Sequence, residues 1–239
     1  MYIAEIVPVS CLEYIRDKDY HMCLAQLVLK SERYAEFYRE LAQEGKYVIL
    51  DNGAAEGESL SFDDLYKAYK TIQPTEIILP DVLNNTYETI ERSSIFYREY
   101  LTHEKCKIMI VPQARSLRVW ITATEEMLSQ LPVNTVGIPK WLGSKNKLHR
   151  VAASAYLSEL TTEVHLLGCS ESPEVLKLCK KANPNVRGCD SAYAYLCSKA
   201  NISEITLNTE RPGGMIHFLD DPEIESLPKL MNDLEEIVK

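Results

Sequence analysis

The chain has 239 residues, of which 46% are hydrophobic, and this size fits one large α/β domain better than two small ones. Its longest apolar runs are too short to cross a bilayer, and its first ten residues lack the basic and apolar zones of a signal peptide. We therefore expect a single soluble, cytoplasmic domain over residues 1–239 with no membrane partner. The seven cysteines form no CxxC or CxC pair, which argues against a disulfide framework or a zinc site, so we expect no metal and no cofactor.

Short apolar runs that stop at Gly, Pro, Asp or Asn recur along the chain, with room for one helix and two loops between them. Seven runs predict strands: 22–28, 47–50, 76–79, 107–111, 135–138, 164–167 and 186–189. An eighth strand is predicted either at 2–7 or within 205–218.

Helix signals lie between these runs. Ser31 precedes a helical pattern that Gly45 ends, Ser61 and Asp64 form a capping box, and Ser172 stands before a proline that suits a first helical turn. An acidic C-terminal helix is predicted at about 222–238. The alternation predicts parallel strands joined by helices, and therefore an α/β fold of the (βα)8 TIM-barrel type, closed or distorted. An open, doubly wound sheet is the alternative.

Polar residues and glycines follow several predicted strands, at the carboxyl ends where α/β proteins place their active sites. They are Asp51, Asn52 and Gly53 after the second run, Asp81 after the third, Gln113 after the fourth, Gly168 after the sixth and Asp190 after the seventh. Each acid alone is explained by a turn or a helix cap. Three acids at one level instead predict a shared pocket, in which like charges shift one another's pKa values.

Retaining glycosyl transfer uses two carboxylates that face one sugar. One attacks the anomeric carbon, and the other transfers the proton to the leaving group. A carboxylate and a side-chain amide also suit the hydrogen-bonding edge of guanine. Asp81 and Gln113 are candidates for that role.

The ordered motifs DNGA at Asp51, PD at Asp81, IVPQ at Gln113, VGIP at Gly137, HLLG at 165–168 and GCD at Asp190 resemble those of the tRNA-guanine transglycosylase superfamily. Members of that family exchange guanine for a 7-deazaguanine through a covalent glycosyl-enzyme. The resemblance implies a pentosyltransferase with Asp190 as nucleophile on C1′ and Asp51 as general acid/base. It also implies base binding by Asn52, Gly53, Asp81, Gln113 and Gly168, with backbone contacts from Gly137 and Leu167.

The chain departs from the family in two ways. It lacks the zinc ligands that follow the nucleophile strand, and Ala55 and Glu56 stand where a base-stacking aromatic is expected. We therefore expect either that Tyr193 or Trp141 stacks on the base or that stacking is weaker. A short chain without the zinc subdomain most resembles the phage-type branch that inserts 7-deazaguanines into DNA. We therefore expect DNA and a free base such as 7-cyano-7-deazaguanine as partners, in the host cytoplasm if the chain is phage-encoded. A DNA guanosine must then be flipped out, and tRNA is the alternative substrate.

The net charge of −9 is unevenly placed, because residues 105–200 carry 13 Lys and Arg against 7 Asp and Glu. A patch that contacts nucleic-acid phosphates is predicted at Lys140, Lys145, Lys147 and Arg150, together with Arg115 and Arg118. The alternative is an ordinary solvated helix face.

Two other functions stay open. One is a different barrel enzyme, such as an aldolase or isomerase, with Lys140 as Schiff-base residue or Gly213–Gly214 as phosphate loop; the other is a noncatalytic nucleic-acid-binding barrel. A thiol nucleophile at Cys169 or Cys189 would need a base that the sequence does not identify. His165 is expected in the core, and Arg187 is expected to pair with a carboxylate. The sequence leaves the oligomeric state open.

Overall fold

A computed structural model describes residues 1–57, 60–144, 146–160, 162–169 and 172–239. Its eight strands are β1 (Tyr2–Glu5), β2 (Tyr20–Leu24), β3 (Tyr47–Asp51), β4 (Glu76–Ile78), β5 (Lys107–Ile110), β6 (Thr135–Ile138), β7 (Glu163–Leu166) and β8 (Val186–Ser191). They form one sheet in the order β1-β8-β7-β6-β5-β4-β3-β2. Parallel strands that alternate with helices in this order make a nearly closed (βα)8 barrel of the TIM type, which confirms the predicted fold class.

The helices are α1 (Ala25–Lys30), α2 (Glu32–Gln43), α3 (Phe62–Ile72), α4 (Thr86–Phe96), α5 (Leu117–Gln130), α6 (Trp141–Ser144), α7 (Lys147–Leu157), α8 (Pro173–Ala182), α9 (Tyr193–Lys199) and α10 (Leu227–Val238). A 3-10 helix covers Val9–Ile15, a single 3-10 turn covers Ala54–Glu56, and a π-helical turn at Tyr97–Leu101 extends α4. Within the described ranges, no helix has the length and apolar character needed to cross a membrane.

The backbone groups into two compact units. The first consists of Met1–His21 and Lys140–Lys239, and contains the parallel pairs β1–β8 and β7–β8. The second is Met22–Pro139, with β3, β4, β5 and β6 paired in turn. In both units the central strands are buried, with Ala4, Ile49 and Ile77 at zero exposure. That burial explains why the strand runs in the sequence are almost wholly apolar.

Two helix starts agree with the cap signals. The Ser31 hydroxyl accepts from the Tyr34 amide at 3.3 Å, and Ser61 accepts from the Asp64 amide at 3.1 Å while donating to its carboxylate. Gly45 adopts a left-handed φ of 81° just past α2, as the predicted stop requires.

Three boundaries differ from the prediction. The run 22–28 is a strand only to Leu24, because helix α1 begins at Ala25; its residues from Ala25 to Val28 are all buried, and a short apolar run carries no period that separates helix from strand. The eighth strand is β1, and residues 205–218 contain no strand. The acidic C-terminal helix starts at Leu227 instead of 222, where Pro228 suits its first turn.

Candidate active site

The turn after β3 ties two strand ends together in the second unit. Gly53 takes a left-handed φ of 81°, and the Asn52 side-chain oxygen accepts from the Ala54 amide at 2.8 Å, so Asp-Asn-Gly forms the tight turn that its residue types favour. The same Asn52 side chain donates from Nδ2 to the carbonyl of Leu79 at 2.7 Å. Asp51, the last residue of β3, is buried with 8% exposure.

Asp81 lies between two side-chain amides, and we call Asn52, Asp81 and Gln113 the Asp81 cluster. Asn52 donates from Nδ2 to Asp81 Oδ1 at 2.7 Å, and Gln113 donates from Nε2 to Oδ2 at 2.6 Å. Desolvation raises the pKa of Asp81 to about 6, although both amide hydrogen bonds act to lower it. Each carboxylate oxygen keeps a second lone pair with which it can accept a hydrogen bond from a ligand.

An open cleft of about 400 Å³ lies beside Asn52 and Asp81 in this unit. Its apolar walls include Leu60, Leu65 and Val82, and Arg92 adds a cation. The volume falls in the range of small-molecule sites. Another groove, of about 650 Å³ between α4 and α5, contains none of the predicted site residues.

The two carboxylate oxygens of Asp190, on β8, differ in their hydrogen bonding. Oδ1 lies 3.1 Å from His165 Nε2 and accepts from the Gly168 amide at 3.0 Å. Within the part of the chain that the structure describes, Oδ2 has no hydrogen-bond partner, and the side chain is 16% exposed. The carboxylate is therefore oriented while one oxygen stays free to react.

A chain of hydrogen bonds continues behind His165, which is fully buried. Its Nδ1 lies 2.8 Å from the Tyr20 hydroxyl, and Arg187 donates from Nε to that hydroxyl at 3.1 Å. Arg187 also stacks over the Tyr20 ring and pairs with Glu163 at 2.7 Å, which confirms the predicted carboxylate partner. We call Tyr20, His165, Gly168, Arg187 and Asp190 the Asp190 cluster.

Local irregularity in the strands makes room for this cluster. The β7–β8 register shifts between Val164 and His165, and bulges of this kind re-aim a side chain. His165 then pairs with Gly188, where an added Cβ would lie 2.6 Å from the Tyr20 ring. Only glycine at 188 leaves space for Tyr20 beside His165.

Arg150 supports the loop that holds Asp190. It is fully buried on α7 and donates from its two terminal nitrogens to the carbonyls of Gly168 at 2.8 Å and Leu167 at 2.7 Å. Gly168 has a left-handed φ of 68°, a backbone conformation that is strained for a residue with a side chain. The prediction that Arg150 contacts nucleic-acid phosphates does not fit this burial, and we remove it from the proposed patch.

The other cations of the predicted nucleic-acid patch differ in their exposure and ion pairing. Arg115 and Arg118 are exposed at the amino-terminal side of α5, while Lys147 is exposed and paired with Glu174 at 2.7 Å. Lys140 is partly buried, with its methylene groups 3.4 to 3.9 Å from the position of a Gly168 Cβ. Lys145 lies outside the described residues.

The remaining candidates are largely enclosed. Gly137 is buried in β6, and Trp141 is partly buried at the start of α6. Tyr193 is 1% exposed and donates its hydroxyl hydrogen bond to the Thr209 carbonyl, so its ring does not lie on an open surface for stacking. Burial raises the pKa of Cys169 to about 12 and holds that of Cys189 well above its ordinary value, which disfavours a thiolate nucleophile.

Sequence reasoning missed the partners of the acids. The sequence pattern does not indicate Tyr20 as a partner of His165, Arg150 as a buried support of the Gly168 loop, or Asn52 as a hydrogen-bond donor to Asp81. Gly188, two residues before Asp190, is the one sequence signal of a crowded neighbour, and a glycine in a strand does not name that neighbour.

The fold places the chain in the class of (βα)8 barrels, and its strand ends carry the acids described above. Comparison of the chain with models of known protein families, and with curated proteins, found no match.

Proposed function

We propose that the protein is a transglycosylase that exchanges guanine in DNA for a 7-deazaguanine base through a covalent intermediate on Asp190. The observation that carries the proposal is the Asp190 carboxylate, with Oδ1 held by two donors and Oδ2 open. A carboxylate that only caps a helix has its oxygens on the helix amides. Asp190 instead binds His165 and Gly168, and the first amide of α9, that of Tyr193, donates to the Ser191 hydroxyl at 2.9 Å.

The same reasoning favours a ligand-binding role for Asp81. Its oxygens accept from Asn52 and Gln113, while Asn85 caps the helix that follows, accepting from the Glu88 amide at 3.2 Å. Asp81 is therefore not needed as a cap. In the proposed function its free lone pairs accept from N1–H and the 2-amino group of the base.

The proposed reaction has two balanced halves. First, Asp190 Oδ2 attacks C1′ of the nucleotide, the C1′–N9 bond breaks, its electron pair goes to guanine, and Asp51 supplies the proton that guanine takes up. Then Asp51 removes a proton from the incoming base, the nitrogen of that base attacks C1′, and the C1′–Oδ2 bond breaks to restore the carboxylate. No oxidant, reductant or metal enters this balance.

The choice of DNA rests on the resemblance to the phage-type branch and on the exposed cations Arg115 and Arg118. The target guanosine of a duplex must leave the base stack to reach such a site, so the proposal includes unstacking or flipping of this nucleotide. The proposal that the base binds at Asp81 is supported by the cleft of about 400 Å³ beside the Asp81 cluster.

The test is incubation of the protein with 7-cyano-7-deazaguanine and, separately, duplex DNA, single-stranded DNA and tRNA, followed by mass spectrometry of the nucleosides. We expect the modified nucleoside from DNA, and intact-protein mass spectrometry should detect a glycosyl adduct. Asp190→Asn should abolish both signals while leaving the free base bound. Exchange by Asp190→Asn at the parent rate would overturn the assignment, and modification of tRNA alone would replace DNA as the substrate.

A further inference from the structure

We infer that Tyr20 and His165 are positioning residues that fix Asp190 in the orientation for attack through Oδ2 and stabilise the carboxylate when it leaves C1′. The inference deepens the proposed function and rests on it. Its basis is the continuous set of contacts from Arg187 through Tyr20 and His165 to Asp190 Oδ1.

Arg187 sets the direction of hydrogen bonding along this set. A guanidinium can only donate, so its Nε–H donates to the Tyr20 oxygen. With the Arg187 hydrogen bond accepted at its oxygen, the Tyr20 hydroxyl donates its own hydrogen to His165 Nδ1, at 2.8 Å. A neutral His165 that accepts at Nδ1 carries its proton on Nε2, which faces Asp190 Oδ1. Asp190 thus receives a donor, as a carboxylate requires.

Burial makes this arrangement rigid. His165 has no exposed surface and Tyr20 is 4% exposed, so water cannot easily replace a lost partner. The Gly168 amide supplies a second donor to the same Oδ1, and Arg150 holds the loop of Gly168 from behind. All identified donors to Asp190 therefore converge on one oxygen.

That asymmetry affects the two halves of the reaction differently. When Oδ2 bonds to C1′, Oδ1 becomes the carbonyl oxygen of an ester and carries less negative charge. When the C1′–Oδ2 bond breaks, negative charge returns to both oxygens, and the donors on Oδ1 stabilise it. Weakening the His165 contact should therefore slow breakdown of the glycosyl-enzyme more than its formation.

Tyr20→Phe tests this with little change in packing, because the ring that lies under Arg187 is kept. Tyr20→Phe removes the hydrogen bond to His165, so we expect release of the covalent intermediate to slow by about 5-fold, the value of one net hydrogen bond, with adduct accumulating in the steady state. Rapid-quench sampling and intact-protein mass spectrometry measure both quantities. The matched control is Tyr195→Phe, since Tyr195 is also buried in this unit and its hydroxyl donates to the Pro222 carbonyl at 3.1 Å.

Two further variants separate positioning from folding. His165→Gln can still present a side-chain N–H to Asp190, whereas His165→Leu cannot, so His165→Gln should retain more of the breakdown rate. Equal rates for these two variants, or an equal effect of Tyr20→Phe and Tyr195→Phe, would overturn the inference while leaving the proposed function in place.

A readout without substrate tests the hydrogen bonding itself. Nitrogen-15 NMR of the imidazoles should show His165 protonated on Nε2, with the signal identified by its loss in His165→Gln. Tyr20→Phe should shift the Nδ1 signal. A proton on Nδ1 of neutral His165 overturns the inference. Absence of base exchange by the parent protein on every nucleic acid refutes the proposed function, and the NMR result still decides whether His165 donates to Asp190.

Discussion

Gln113 donates a hydrogen bond from Nε2 to Asp81 Oδ2 at 2.6 Å, on the opposite oxygen from the one that accepts from Asn52. Each carboxylate oxygen of Asp81 therefore has its own side-chain amide donor. Desolvation nevertheless outweighs these hydrogen bonds and raises the pKa of Asp81 to about 6. The charge of the proposed base-reading residue therefore changes in the range of weakly acidic to neutral pH.

Binding of the free 7-deazaguanine base should consequently depend on pH. The pKa of Asp81 lies above its ordinary value, so the carboxyl is mostly protonated at pH 5 and mostly ionised at pH 7. Only the ionised form accepts from both N1–H and the amino group. We expect affinity to be roughly tenfold higher at pH 7 than at pH 5, which is the ratio of the ionised fractions for a pKa near 6.

Calorimetric titration across this pH range measures the effect. Asp81→Asn should bind the base weakly and lose the pH dependence, while Asp17→Asn, at an exposed aspartate, should keep it. Parallel affinity curves for the parent and Asp81→Asn would show that another group titrates.

Asp51→Asn should slow chemistry far more than it weakens binding. General acid/base catalysis contributes about 100-fold or more to a rate, and asparagine at this buried strand end keeps the size of aspartate without its proton transfer. Single-turnover rates should fall by at least ~100-fold, with the dissociation constant of the base changing by less than about threefold. A loss confined to affinity would contradict the acid/base role.

The strand pattern could be predicted because burial on both faces makes parallel strands almost wholly apolar. The runs at 47–50, 76–79, 107–111 and 135–138 coincide with strands to within a residue. The sequence also indicates two of the acids, because Asp51 directly follows the run 47–50 and Asp81 follows the run 76–79 after one proline. The boundary at Ala25 was not visible, because α1 is also buried.

The partners of the acids could not be predicted from spacing. Tyr20 and His165 are 145 residues apart, and their contact lies at a register shift between Val164 and His165 in β7. Arg150 reads as one of four cations in a basic stretch, yet two backbone carbonyls bind its guanidinium in the interior. A long-range contact of this kind leaves no local period in the sequence.

The exposed cations at the start of α5 should contribute to nucleic-acid affinity. Within the described residues, neither Arg115 nor Arg118 has an ion-pair partner, so replacing both with Gln should weaken DNA binding and reduce the slope of log affinity against log salt by about 0.9 for each lost phosphate contact. Lys147→Gln should have a smaller effect, because Glu174 already neutralises Lys147.

Fluorescence anisotropy at several salt concentrations measures these slopes. Lys67→Gln, at an exposed position on α3, is the control for a lost charge away from the patch. A slope for the Arg115 and Arg118 variant equal to that of Lys67→Gln would dismiss the patch.

Glu5 is expected to make stability depend on pH. It ends β1 with 3% exposure, and within the described residues neither carboxyl oxygen has a hydrogen-bond partner. The pKa of Glu5 is raised to about 8, chiefly by burial and in addition by the charge of Glu235, while Lys18 acts to lower it. Such a site favours the protonated acid.

The folded protein therefore keeps this proton over a range in which the unfolded chain has lost it. The free energy of unfolding should fall as pH rises from about 4.5 towards 8 and level off on either side. The loss that Glu5 contributes should be on the order of 5 kcal/mol between the ends of that range. Glu5→Gln cannot ionise, so it should lose less stability, and urea unfolding at pH 5 and pH 8 measures the difference. Glu36→Gln, at an exposed position on α2, should follow the parent. If the gap between the parent and Glu5→Gln is the same at both pH values, Glu5 does not carry a proton in the folded state that the unfolded chain has released.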